Sequence, residues 1–171
     1  MKRALLIRPA VAGDAAALLA IYAPHVERGV ASFEEALPSV DEFASRIAKC
    51  AAGWAWLIAE RDGHVAGYAY GSAHRERAAY RWSTEVSAYV HSSFHRRGVA
   101  RALYLRLFDV LAERGYCNAY AGITLPNDAS VALHRALGFG AIGVFPRVGF
   151  KFGAWHDVMW LHRPLREAPF L

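Results

Sequence analysis

Ser83-Thr84-Glu85-Val86-Ser87-Ala88-Tyr89-Val90-His91-Ser92-Ser93-Phe94-His95-Arg96-Arg97-Gly98-Val99-Ala100-Arg101 opens with the pattern of a strand and closes with that of a helix. Val86, Ala88 and Val90 fall on one face at period two, and Glu85, Ser87 and Tyr89 on the other. Beyond the turn, Val99, Leu103, Leu107, Val110 and Leu111 form an apolar stripe at helical spacing. The turn itself is basic and contains Gly98. A strand feeding such a turn sets the free N–H groups and positive dipole end of a helix where a phosphate can sit. Gly98 lets the backbone approach a ligand closely, and Arg96, Arg97 and Arg101 add positive charge. The spacing is neither that of a Walker loop nor that of a three-glycine dinucleotide fingerprint. Taken alone, an ordinary solvated helix start accounts for it equally well.

On the N-terminal side, residues 4–8 read as a first strand, and Asp14 as the cap of a helix reaching about residue 26 with Leu18, Ile21, Tyr22 and Val26 on one face. A loop over 27–37 carries Phe33. Ser39-Val40-Asp41-Glu42 has capping-box spacing and starts a second helix through about residue 50. Strands at 56–60 and 65–72 flank the Asp62-Gly63 turn. Residues 74–81 are a basic, aromatic connection into the central strand. On the C-terminal side follow a strand at 118–124, a helix from Asn127-Asp128 to Leu137, and strands at 141–148 and 156–162 around a turn at 149–153. The order βααβββαβαββ predicts an α/β fold with a mixed sheet between helices, not the regular alternation of a Rossmann fold.

A chain of 171 residues suits a single domain over 1–171. With 55% hydrophobic and 20% charged residues it is not disordered. No apolar run reaches the roughly 18 residues that span a bilayer. The apolar stretch behind Met1-Lys2-Arg3 ends at Arg8-Pro9, too short for a signal sequence, so a cytoplasmic location is expected. A net charge of +5 fits nucleic acid or a polyanionic small ligand. The arginines are scattered and no aromatic-basic stacking motif accompanies them, which favours the small ligand. Cys50 and Cys117 make neither a metal spacing nor a Cys-x-x-Cys pair; buried thiols and no metal are expected.

His95-Arg96-Arg97-Gly98-Val99-Ala100 resembles the pyrophosphate loop of the GNAT N-acetyltransferases, Gln/Arg-x-x-Gly-x-Gly/Ala, with histidine departing from the first position. The helix from Asn127 to Gly138-Phe139 resembles the family's next segment, and His134 stands where a tyrosine is common. Within the superfamily, the chain resembles the phosphinothricin and methionine sulfoximine acetyltransferases. Ala31-Ser32-Phe33-Glu34-Glu35, Ala79-Tyr80-Arg81-Trp82-Ser83-Thr84-Glu85, Leu125-Pro126-Asn127-Asp128, Leu133-His134 with Ala136-Leu137-Gly138, and Val148-Gly149-Phe150-Lys151-Phe152-Gly153-Ala154-Trp155-His156-Asp157 carry that likeness. It implies the GNAT fold, a mostly antiparallel sheet splayed at its middle strands, with acetyl-CoA as cosubstrate. It also implies a small amino-acid acceptor and a homodimer.

The resemblance assigns roles. Ala88, Tyr89, Val90, Arg96, Arg97, Gly98, Val99, Ala100, Arg101, Asn127 and Ser130 would hold acetyl-CoA, with backbone donors at residues 88–90 receiving the oxyanion. Phe33, Arg75, Arg81 and Tyr89 would bind the acceptor, the arginines through its anionic groups. An α-amine is mostly protonated at neutral pH, so transfer needs a base, and Glu85 occupies the family's position for it. His134 would serve the leaving thiolate. Attack is direct, in a ternary complex, with no covalent intermediate on either cysteine. Read singly, Glu85 fits an exposed salt bridge equally well, Asn127 a helix cap and His134 a packing residue. Residues 151–155 close the pocket or lie at a two-fold interface, and the sequence leaves both open.

Two rival functions are a GNAT acting on another amine, such as a protein N-terminus, and a non-catalytic acyl-CoA-binding regulatory module. A polyamine acceptor is disfavoured by three arginines against one glutamate in residues 74–81. A sensor would be expected to lose the base, yet Glu85 and His134 are both present.

Overall fold

A computed structural model describes residues 5–167. The elements are β1 (Leu6–Pro9), α1 (Ala15–Glu27), α2 (Val40–Gly53), β2 (Trp56–Arg61), β3 (His64–Ala73), β4 (Ser83–Val90), α3 (Val99–Glu113), β5 (Asn118–Thr124), α4 (Asp128–Ala136), β6 (Gly140–Lys151) and β7 (Ala154–Pro164). The predicted order holds. The first strand begins later than expected, and Ala4 lies outside the described residues.

Seven strands form one sheet in the order β1-β2-β3-β4-β5-β7-β6. Every pairing is antiparallel except β4 with β5. That parallel pair is short: Ser83–Asn118, Thr84–Ala119 and Glu85–Tyr120, and then the strands part. Helix α3 covers one face, burying Val99, Leu103, Leu107 and Leu111 against Val86, Ala119 and Ile123. Helices α1 and α2 cover the other, where Leu18, Ile21, Tyr22, Phe43 and Ile47 meet Ile58 and Tyr68. The two apolar stripes expected from the sequence therefore bury on opposite faces of the sheet.

Two local expectations are corrected. Asp14 stands at the N-cap of α1, but its side chain accepts no hydrogen bond from that helix; it ends a short 3-10 turn, and its carboxylate pairs with both terminal nitrogens of Arg8 at 2.8 and 2.9 Å. The charged, bidentate Arg8 fork takes the carboxylate together with the Val11 N–H at 2.8 Å, and ties β1 to the helix start. The last hairpin is longer and tighter than expected, with β6 and β7 running to Lys151 and from Ala154 around a Phe152-Gly153 tip. The capping box of α2 is present as expected: Ser39 accepts from the Glu42 N–H at 3.1 Å, and Glu42 from the Ser39 N–H at 2.7 Å.

Candidate active site

The parting of β4 and β5 opens the sheet, and a cavity of 590 Å³ occupies the gap. Its walls come from Ser87, Ala88, Tyr89 and Val90 on one strand and Ala121, Ile123 and Thr124 on the other. The glycine turn adds Arg96, Gly98, Val99, Ala100 and Arg101 to the lining, and α4 adds Asn127, Ser130 and His134. Arg97, expected among these, lies outside the lining and sits over the Phe94 ring, 5.8 Å from its centroid.

Backbone geometry decides which donors face the gap. The His91 N–H donates to the Ala66 carbonyl at 2.9 Å, which sets the alternation of the β3–β4 ladder. The N–H groups of Ala88 and Val90 consequently turn away from β3, into the gap. That of Tyr89 turns toward β3, so Tyr89 offers the cavity its side chain alone. At the glycine turn, Gly98 has φ +77° and caps α3, so the first N–H groups of the helix face the cavity mouth. His95 fills the departing position of the loop motif and anchors it: its Nε2–H donates to the Val90 carbonyl at 2.9 Å.

Asn127 is the helix cap and lines the cavity as well. Its carbonyl oxygen accepts from the Ser130 N–H at 3.1 Å, which leaves its NH₂ to donate elsewhere. Nearly two turns beyond Asn127, His134 is 4% exposed, with its ring edge-on to Tyr104 and Phe139. Its Nδ1 lies 2.7 Å from the Ser130 carbonyl, which can only accept, so Nδ1 carries the proton. Nε2 is then a lone pair with no partner among the described residues. Burial holds this imidazole below the usual histidine range, the Ser130 carbonyl opposing it more weakly.

Glu85 stands at the fork itself, on the last paired position before the strands separate. It is not part of the cavity lining, but Ser87 and Tyr89, next on the same face, are. Its Oε1 accepts from His74 Nδ1 at 3.0 Å and from Arg75 Nη1 at 3.3 Å. Arg75 is thus turned to the carboxylate. Arg81 donates to the Ala78 carbonyl at 3.0 Å and stacks on Trp82, away from the cavity. Phe33 lies on the backbone of Gly149, and its neighbour Ala31, not Phe33, reaches the lining.

Three residues absent from the expected set belong here. His25, at the end of α1, lines the cavity beside Tyr89, and burial lowers its basicity. Tyr104 lines it from α3, next to stripe residue Leu103, and burial keeps its phenol protonated. His74 reaches Glu85. Only Tyr104 carried a signal, as an aromatic beside the helical stripe.

A sheet opened between two parallel strands, with a basic helix start at one end of the gap, is the architecture of one enzyme class. The family model of the acetyltransferase (GNAT) domain matches residues 7–160, and the chain belongs to this family of N-acetyltransferases. It is 43% identical over 157 residues to a phosphinothricin N-acetyltransferase of Alcaligenes faecalis, covering 91% of this chain and 80% of the relative. An L-methionine sulfoximine/L-methionine sulfone acetyltransferase of Salmonella typhimurium is 34% identical, covering 95% of this chain and 96% of the relative. A phosphinothricin acetyltransferase from Sinorhizobium meliloti, solved in complex with acetyl-CoA, superposes with a TM-score of 0.92 at 37% identity, covering 97% and 91% of the two chains. Among the described residues no group of three metal-ligating side chains occurs, and no helix is long and apolar enough to cross a membrane.

Proposed function

We propose that this enzyme moves the acetyl group of acetyl-CoA to the α-amine of a small amino-acid-like acceptor of the phosphinothricin or methionine sulfoximine type. The reading rests on one juxtaposition: Glu85 at the fork, on the same strand face as the cavity residues Ser87 and Tyr89, with His134 in the lining of the same cavity.

The gap suits the donor. The αL turn at Gly98, the helix N–H groups and Arg96 and Arg101 suit a pyrophosphate. The Asn127 NH₂ suits an amide carbonyl of the pantetheine arm. The Ala88 and Val90 N–H groups are turned to where the thioester oxygen becomes an oxyanion. Glu85 takes the proton of the acceptor's ammonium through Oε2, directly or across one water. His134 Nε2, a bare acceptor, receives the second proton from the attacking nitrogen and returns it to the leaving thiolate. Attack is direct within a ternary complex. Phe33 and Tyr89 wall the acceptor, and Arg75 and Arg81 meet its anionic groups after turning from their present partners.

Exposed apolar side chains on the last hairpin, Ile142, Val144, Phe145, Val148 and Phe150, support a homodimer through β6 as part of the same proposal. A cytoplasmic location belongs to it too. Light scattering at micromolar concentration tests the dimer, a monomer being the adverse result.

Thiol release from acetyl-CoA tests the function, with methionine sulfoximine, phosphinothricin, methionine, spermidine and an N-terminal peptide as acceptors. Turnover of the first two, lost in Glu85→Gln, is expected. Turnover of the peptide or spermidine alone would move the enzyme to another acceptor class. Acetyl-CoA binding with no reactive acceptor would favour a sensor.

A further inference from the structure

The carboxylate of Glu85 is held asymmetrically. Both of its side-chain contacts, His74 Nδ1 at 3.0 Å and Arg75 Nη1 at 3.3 Å, converge on Oε1. Oε2 has no hydrogen-bonding partner among the described residues. The two anchors are unequal. Arg75 is half-exposed, with 49% of its side chain accessible, whereas His74 is 15% exposed and caged by aromatic rings. It stacks on Tyr120 at 4.7 Å and 18°, with Tyr80 and Trp160 edge-on at 5.7 and 6.3 Å.

The position of that stack matters. Tyr120 is the residue paired with Glu85 at the last rung before β4 and β5 separate. His74, just past the end of β3, therefore lies on one strand's final paired residue and bonds the other's. A carboxylate only accepts, so His74 carries a proton on Nδ1, and it does so whether the ring is neutral or charged. The anchor consequently holds in both protonation states of the imidazole.

We propose that His74 is the positioning residue of Glu85: it pins Oε1 at the fork and so presents Oε2 to the acceptor's amine. A base free to rotate about its side chain would lose alignment with the nitrogen, and small misplacements of a reacting group are costly in rate. The inference rests on the reading of Glu85 as base, and its test separates the two.

The tautomer is read without any acceptor. In ¹⁵N–¹H correlation spectra of the full-length protein, His74 is protonated at Nδ1; a neutral ring protonated only at Nε2 overturns the proposal. In the thiol-release assay, His74→Phe keeps the stack and removes the donor. It lowers kcat about 10-fold or more, with the KM for acetyl-CoA unchanged. His74→Asn, whose amide N–H falls near the Nδ1 position, recovers part of that loss. In a Glu85→Gln background, His74→Phe adds nothing further. Equal losses in both backgrounds, or an Asn variant no better than Phe, overturn the proposal. If Glu85→Gln alone is fully active, the base reading fails and this one with it. Should His74→Phe not fold, His74→Leu takes its place.

Discussion

His134 donates its Nδ1–H to the carbonyl oxygen of Ser130, 2.7 Å away and one turn earlier in α4. That bond fixes the tautomer and leaves Nε2 as an acceptor in a buried, aromatic setting. A neutral imidazole of this kind cannot donate to a thiolate until it has taken up a proton. His134→Phe should therefore reduce kcat by about 100-fold, within the usual range for a lost acid–base group, while acetyl-CoA still binds.

The same burial makes stability depend on pH. The folded protein holds His134 and His25 below the ordinary histidine value, whereas the unfolded chain protonates them near pH 6.5. The unfolded state thus binds more protons as pH falls through that range, and stability declines on the acid side. Melting temperatures from pH 7.5 down to 5 should fall for the wild type and fall less steeply for His134→Phe. Parallel curves would mean that His134 is not held neutral.

At the glycine turn, the cost of a side chain is conformational rather than steric. A Cβ on Gly98 would meet no atom within 4 Å, but the residue sits at φ +77°. Holding that conformation costs an L-residue roughly 1–2 kcal/mol, and relaxing out of it would rotate the helix-start N–H groups away from the cavity. Gly98→Ala should weaken acetyl-CoA binding about 10-fold by calorimetry, since 1.4 kcal/mol is a factor of ten. Gly13→Ala, equally open but at ordinary φ, is the control that should change nothing.

Neither thiol is set up for chemistry. Cys50 donates to the Ala55 and Gly71 carbonyls at 3.4 and 3.2 Å, and burial pushes its thiol up to about 12. Cys117 is buried as well. Ellman's reagent should find neither thiol in the native enzyme and both in urea, with acetyl transfer insensitive to brief iodoacetamide treatment.

What was legible in the chain and what was not divides along physical lines. The apolar stripes of α1 and α3 and the alternation of β4 report burial directly, and those elements appear where they were expected. The glycine turn and the Asn127–His134 helix were readable because spacing within one helix or turn fixes which residues share a face. Contacts between side chains distant in sequence were not. Arg75 looked available for an anion because nothing local shows that Glu85 lies 3.3 Å from it. Asp14 looked like a helix cap because the pull of Arg8 depends on how β1 meets α1. His74 gave no sign at all: its role comes from a stack on Tyr120, which only strand pairing brings near.

The loop between α1 and α2 is held by the last hairpin, and that coupling gives a prediction confined to the acceptor side. Lys151 is 3% exposed, and its ammonium donates to the carbonyls of His25, Gly29 and Ser32 at 3.3, 2.9 and 2.8 Å. Beside it, Gly149 makes room for Phe33: an added Cβ would lie 2.2 Å from the ring's Cε2. Lys151→Met removes the donor and leaves three carbonyls without it, that of Ser32 buried and those of His25 and Gly29 part-buried, at a cost of about 2–3 kcal/mol. For a chain of this size that lowers the melting temperature by roughly 5–10 °C. Gly149→Ala drives the Phe33 ring off the hairpin and shifts the loop that carries Ala31 into the cavity wall. Both variants should raise the KM for the acceptor several-fold while acetyl-CoA affinity stays at the wild-type value. Equal losses for both substrates would mean that the loop supports the whole cavity, and the acceptor would then have to be sought elsewhere on the fork.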